Sequence, residues 1–473
     1  MPSHSLEEIL HPKSIAVVGA SGSGGRGGGF VIPLQQLGFK GELYPVNPRY
    51  SEISGLKAYP SLKEIPGSID YVISAVPAPV VLSMLDDASQ KGVKGIHLFT
   101  ARFSETGRPE AAELEQELLR KARTHGIRII GPNCMGLYYP SEGISWSEDF
   151  PKKSGLAGLA SQSGNVASEI VQTAVPRGIY FSKVISYGNA IDFNESDYLE
   201  YFAQDPETKI ILMYIEGVKD GRRFFKSLCH AAACKPVIVL KGGRGRAGAR
   251  ATASHTASLA GAAELWETVV SQAGAIFAES LGELIDLTAS FYFLPKITGR
   301  RVGVAGGAGG ASVLAADECE KAGLDVIPLP AELREELKNR GVAIWDWIGN
   351  PADISIRVDD EFTAGYMLEI MSRYPHFDFL IPIMRRPDRR YQKAMSVDSY
   401  LEEYRLKESS RKPLMAVLAD RERDTNDDDD AWRLQIMRSI KANLIASNIP
   451  FYPTIGRAAR AVNKFVDYCQ ERR

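Results

Sequence analysis

Between Lys241 and Gly261 the sequence reads KGGRGRAGARATASHTASLAG, with eleven glycines and alanines, four lysines or arginines, and one imidazole, His255. Small residues let a bulky anion come close to the backbone, and cations favour its approach. A neutral imidazole is a competent nucleophile towards phosphorus. The chemistry this stretch suggests is phosphoryl transfer through His255. A loop histidine with an ordinary satisfied hydrogen bond is the plainer alternative, so the surrounding elements must decide.

The chain has 473 residues, 44% of them apolar, enough for two to four domains each with its own core. A formal net charge of −2 offers no broad basic face, and nucleic acid is not an expected partner. The start, MPSHSLEEILHP, lacks the cationic and apolar regions of a secretory signal, and no apolar run is long enough to span a bilayer. The expected location is the cytoplasm, away from membranes. Five scattered cysteines argue against a disulfide framework, and the Cys229–Cys234 spacing does not suit zinc, so no metal site is expected.

Compact apolar runs alternate with helical stretches. SIAVVGA (14–20), ELYPVNP (42–48), YVISAVP (71–77), GIHLFTA (95–101) and IRIIGPN (127–133) have the continuous apolarity of strands buried on both faces of a parallel sheet. The pattern restarts at LAGLASQSGN (156–165), followed by KVISYGN, IILMYIEG, PVIVLKG and AIFA. It restarts again at RRVGVAGGAGGAS (300–312), followed by LDVIPL, DFLIPIM, PLMAVLA and PFYP. The expected fold class is α/β, with three consecutive doubly wound parallel-sheet domains over 1–145, 146–295 and 296–473. Ligands of such sheets sit at the carboxyl ends of the strands.

Those ends are built as lips. GASGSGGRGGG (19–29) contains G-x-G-x-x-G at Gly22, Gly24 and Gly27, though a loop this rich in glycine matches that spacing by composition alone. Its place between a strand and a helix suits backbone N–H groups receiving phosphate. A dinucleotide site also wants a carboxylate at the end of the second strand, but Val46, Asn47 and Pro48 supply none. A nicotinamide-dependent oxidoreductase is therefore disfavoured. AVPAP (75–79), FTARF (99–103) and GPNCMG (131–136) add proline and small residues that hold the backbone open against a flat ligand.

With those lips in place the chain resembles the α subunit of ADP-forming acyl-CoA synthetases and, more distantly, the α subunit of succinyl-CoA synthetase. The likeness is carried, in order, by GAS (19–21), YPVNP (44–48), AVPAP, GPNCMG, SQSGN (161–165), YGNAIDFNESD (187–197), YIEG (214–217), SHTASLAG (254–261), AGGAGG (305–310) and GNPADI (349–354). It implies a Rossmann-like CoA-binding domain followed by two flavodoxin-like ligase domains. The implied activity is an acid–thiol ligase (acyl-CoA + phosphate + ADP = acid + CoA + ATP) working through a phosphohistidine. Coenzyme A is the implied thiol substrate, with a small-molecule acid or acyl-CoA as its counterpart. ATP-grasp modules holding ADP or ATP and Mg2+ are implied on a separate β subunit, hence a hetero-oligomer, because the sequence ends after PFYPTIGRAARAVNKFVDYC where fused members continue. A non-catalytic CoA-binding regulatory protein is the competing reading.

Residue by residue, the resemblance places His255 as the phosphorylated histidine and Glu216 as the carboxylate that holds its other N–H. The turn Ser161, Gln162, Ser163, Gly164 should open a helix whose free N–H groups face phosphate. CoA is assigned to Gly19, Ser21, Gly22, Gly24, Val46, Asn47, Pro48, Ala75, Val76, Pro77, Thr100, Arg102, Asn133, Cys134 and Met135, with Gly188, Asn189 and Asn133 beside the acyl group. Two positions depart from the family pattern: Ala257 and Arg102 stand where glycine is usual.

Overall fold

The computed structural model describes residues 6–22, 29–245, 247–248, 263–354, 362–385, 387, 397–418 and 428–472. His255 and Gly24 lie outside the described residues. The chain divides into two compact units, Met1–Leu284 and Ile285–Arg473.

In the first unit the five opening apolar runs become parallel strands β1 (Ser14–Val18), β2 (Glu42–Val46), β3 (Tyr71–Ser74), β4 (Gly95–Leu98) and β5 (Arg128–Ile130). Every residue of β1, β3 and β4 is buried, because helices cover both faces and leave no side of the strand for water. Their order is β2-β1-β3-β4-β5, so the chain reverses direction between β1 and β3 and leaves a crevice at their carboxyl ends. Helices α1 (Val31–Leu37), α2 (Ala78–Gln90) and α3 (Pro109–Thr124) supply the connections.

A second sheet in the same unit contains β6 (Gly136–Tyr138), β7 (Ala157–Ser161), β8 (Phe181–Ser186), β9 (Ile210–Ile215), β10 (Val237–Lys241) and β11 (Ile276–Ala278), ordered β11-β10-β9-β7-β8-β6. Its five parallel strands repeat the order of the first sheet. The sixth, β6, runs antiparallel to β8, with Tyr138 opposite Val184. It starts at the last residue of GPNCMG, so the chain leaves the first sheet and enters the second through that segment. Helices α4 (Gly164–Ala174), α5 (Glu195–Gln204) and α6 (Gly221–Cys234) follow β7, β8 and β9.

The YGNAIDFNESD segment fastens the two sheets together. Asp192 accepts hydrogen bonds from Arg128 Nε at 2.8 Å and from the Ile129 backbone N–H at 3.0 Å, both on β5. Two residues later Asn194 and Asp197 cap α5 reciprocally, the Asn194 side chain accepting from Ser196 N–H and Asp197 accepting from Asn194 N–H. Glu195, fully buried, accepts the Lys219 N–H at 2.8 Å, and burial raises its carboxyl pKa.

In the second unit, β12 (Val302–Ala305), β13 (Phe379–Met384), β14 (Ala416–Leu418) and β15 (Phe451–Tyr452) form a parallel sheet in that order. The expected strand at LDVIPL does not form: it meets β12 only at an isolated bridge between Arg301 and Asp325. Pro328 and Pro330 remove the N–H donors a ladder would need. Asn350 replaces part of that ladder, its amide donating to the carbonyls of Val302 and Ile327 and accepting from Val304 N–H. Leu333, Leu337, Met367, Leu368 and Leu380 are among the fully buried residues of this unit's core.

Candidate functional site

Within the first unit, the lips after β3, β4 and β5 and the turn after β7 enclose a cavity of about 830 Å3. Ala75, Val76, Pro77, Thr100, Arg102, Asn133, Cys134, Met135, Gln162, Ser163 and Gly164 line it, so the expected CoA residues and the expected phosphate turn meet in one space. The Thr100 hydroxyl donates to the Val76 carbonyl at 2.7 Å and pins two of the lips to each other.

The turn after β7 is what places a helix end here. Ser163 caps α4, its hydroxyl accepting from Val166 N–H, and Ser163, Gly164 and Asn165 at that helix start line the cavity. Close approach of the turn to GPNCMG requires glycine: a Cβ on Gly164 would fall 2.3 Å from Met135 Cγ. Met135 is fixed in turn by its N–H, which donates to Ser186 Oγ at 3.1 Å. The Ser161 hydroxyl is fully buried and donates to the Ser163 carbonyl at 2.7 Å, so Ser161 shapes the turn and does not line the cavity.

Glu216 terminates β9 beside that turn and is buried. Its own N–H and that of Gly217 both donate to Gln162 Oε1, the second at 2.9 Å. Tyr214 Oη donates to Glu216 Oε1 at 3.3 Å, and burial together with the nearby carboxylate pushes the phenol pKa up. Lys241, at the end of β10, donates to the Glu216 carbonyl at 2.8 Å and to that of Gly242; burial lowers its pKa. These contacts hold Glu216 against the end of β10, after which the sequence runs on to His255.

Other expected residues separate from this cavity. Gly19, Ser21, Val46, Asn47 and Pro48 line a second cavity of about 460 Å3 across the β1/β3 crevice, with Val76 shared between the two. Gly22 lines neither. Asn47 spends its amide within the protein, donating to the Ala20 carbonyl at 2.7 Å and accepting from Arg49 N–H at 3.0 Å. Cys134 lines the first cavity but turns its thiol inward, 3.6 Å from the carbonyls of Leu98 and Ile130, and burial pushes its pKa far above the usual range. Asn189 does not line the cavity either; its amide bridges Glu105 and Glu115 at 2.7 and 2.9 Å, while Gly188 packs against Asn133.

The motifs did not reveal Arg108, Glu110 and Leu114 in the first cavity, or Tyr50, Ser61, Ser83, Met84 and Asp87 in the second. A signal existed for some of these. Val80, Ser83, Met84 and Asp87 recur at helical spacing on α2 and form one face.

The lips of one doubly wound sheet and a helix start from the next meet in one cavity, the architecture of an α/β protein whose ligand sits at the carboxyl ends of its strands, and comparison with known proteins names the class. A family model described as a CoA binding domain matches residues 13–140, and one described as a succinyl-CoA ligase like flavodoxin domain matches 154–291. The chain is 39% identical over 381 residues to the α subunit of ADP-forming acetate–CoA ligase II of Pyrococcus furiosus, covering 80% of this chain and 82% of that one. It is 40% identical to the ADP-forming acetate–CoA ligase of Methanocaldococcus jannaschii over 74% of its own length, and spans about half (49%) of that longer chain. A structure of a Ca. Korarchaeum cryptofilum dinucleotide-forming acetyl-coenzyme A synthetase 1, in complex with phosphate and ADP, superposes with a TM-score of 0.81 at 30% identity, covering 99% of this chain and 97% of that one. The chain belongs to the family of ADP-forming acetate–CoA ligase α subunits, a family of acid–thiol ligases.

Among the described residues no helix is long and apolar enough to cross a membrane.

Proposed function

We propose that this chain is the phosphate-carrying subunit of an ADP-forming acid–CoA ligase, interconverting acyl-CoA, phosphate and ADP with acid, CoA and ATP. The observation that carries this reading is the cavity itself, in which the GPNCMG lip of the CoA-binding sheet faces the start of α4 from the second sheet. CoA is a substrate whose thiol end suits the space between Val76, Asn133 and Met135, where apolar side chains and a turn backbone line the wall. A phosphate suits the start of α4, where free N–H groups and the helix dipole favour an anion without a lysine.

On this reading phosphate displaces CoA from the acyl group, giving an acyl phosphate. His255 then takes the phosphoryl group and releases the acid. Glu216 holds the opposite N–H of that imidazole, fixing the tautomer and stabilising the positive charge that develops. His255 next delivers the group to ADP on a partner β chain of the ATP-grasp type, where Mg2+ is held. Fixed backbone dipoles stabilise the travelling phosphoryl group better than mobile water would.

The first half of this cycle needs no partner. The full chain is incubated with radiolabelled phosphate and, in turn, acetyl-CoA, isobutyryl-CoA and phenylacetyl-CoA. The expected result is acid-labile, base-stable label on the protein with at least one thioester, lost in His255→Ala. Absence of label with all three, or label that survives in the variant, overturns the reading.

A further inference from the structure

Arg102 holds a backbone conformation with φ +82°, in the left-handed region that glycine occupies freely and arginine does not. Its neighbours enforce this: the carboxylate of Glu105 receives the N–H groups of both Arg102 and Phe103 and so closes the turn after β4 tightly. Every requirement of that turn would be met by glycine at lower conformational cost. An arginine kept there despite the strain points to a use for its side chain.

Arg102 is exposed and lines the 830 Å3 cavity, and so does Arg108, the exposed residue immediately before α3. Among the described residues neither guanidinium has a carboxylate partner. Glu105 and Glu115, which hold this turn, are engaged by backbone N–H groups, Ser104 and Asn189. Glu110 is the one acidic residue on the cavity wall, so two cations face one anion there. Guanidinium groups recognise carboxylate and phosphate oxygens in a paired geometry that an ammonium cannot copy.

We infer that Arg102, assisted by Arg108, forms a second anion-binding pole in this cavity, apart from the helix start at Ser163–Gly164. It recognises an oxyanion carried by the ligand away from its reacting end. This rests on the ligase reading given above. The oxyanion has two sources, the phosphates of CoA or a second carboxylate on the acid.

Calorimetric titration of the full chain with CoA, pantetheine, acetate and succinate separates them, using wild type, Arg102→Gly and Arg102→Lys. Arg102→Gly removes the cation and relieves the backbone, so its Tm should equal or exceed that of wild type. The expected result is a loss of at least tenfold in affinity for CoA with pantetheine unchanged if the source is CoA. If the source is the acid, the loss falls on succinate with acetate unchanged. Arg102→Lys should recover only part of either loss. Equal affinity of wild type and Arg102→Gly for all four compounds overturns the inference while leaving the ligase reading intact; failure of wild type to bind CoA at all defeats the reading beneath it.

Discussion

The side-chain oxygen of Gln162 accepts the N–H of Gly217 at 2.9 Å while also receiving that of Glu216, tying the turn after β7 to the end of β9. One amide therefore sets the distance between the expected phosphate seat and the expected carboxylate partner of His255. Gln162→Ala leaves two buried N–H groups without this acceptor, a loss of about 1–3 kcal/mol for each. We expect a lower Tm and less label on His255 in the phosphate assay. Gln162→Glu keeps an acceptor and should lose less stability. If Gln162→Ala melts with wild type and labels normally, the bridge has no consequence.

Gly164 and Met135 make a second such pairing across the cavity. Adding a methyl group at 164 drives it into Met135 Cγ, and Met135 must move into the space that CoA would use. Overpacking of this kind typically costs about 1–3 kcal/mol. Gly164→Ala should weaken CoA binding at least tenfold and lower the Tm, and Met135→Ala in the same chain should restore much of both. Additive losses in the double variant would show that the two residues do not compete for the same volume.

Much of this architecture was legible because a parallel strand buried on both faces leaves an uninterrupted apolar run, and the five runs of the first sheet each end in a turn that lines a cavity. AVPAP, FTARF and GPNCMG converge for that reason. Side-chain direction was not legible. Cys134 and Ser161 occur in the right turns yet point into the protein, and Asn189 is consumed by Glu105 and Glu115. LDVIPL has the composition of a strand, but its prolines withhold donors, a local effect that apolarity alone does not register. Arg108 and Glu110 reach the cavity because α3 starts directly behind the β4 lip, a packing relation between elements that sequence spacing does not encode.

Lys183 is almost wholly buried on β8, with Asp205 oxygens at 3.0 and 3.1 Å and Glu207 at 2.5 Å, and its ammonium lies 4.4 Å from the centre of the Tyr139 ring. Tyr139 Oη also donates to Glu207 at 2.9 Å, linking the segment after β6 to this cluster. Lys183→Met removes the cation but leaves the Asp205 carboxylate buried, a change that generally costs about 3–5 kcal/mol. Denaturant unfolding should show that loss, and Lys183→Met combined with Asp205→Asn should recover part of it. No recovery in the double variant would mean that packing around the lysine stem, and not the stranded charge, accounts for the loss.

His97 gives the first unit a defined pH sensitivity. It sits in the centre of β4 with 1% exposure, its Nε2–H donating to the Cys134 carbonyl at 3.0 Å and its ring edge-on to Phe30. Gly136 presses on the same ring so closely that a Cβ there would lie 2.4 Å from Nδ1. Burial pushes the His97 pKa down to about 4, against about 6.5 for a histidine in an unfolded chain. The unfolded state therefore binds the proton first as pH falls. The contribution to stability is complete above about pH 6.5 and is lost progressively down to about pH 4, a total of about 3 kcal/mol. His97→Gln keeps a donor without a titrating group, so unfolding followed between pH 4 and 7 should show a shallower slope than in wild type. Parallel profiles for the two proteins would place the sensitivity elsewhere.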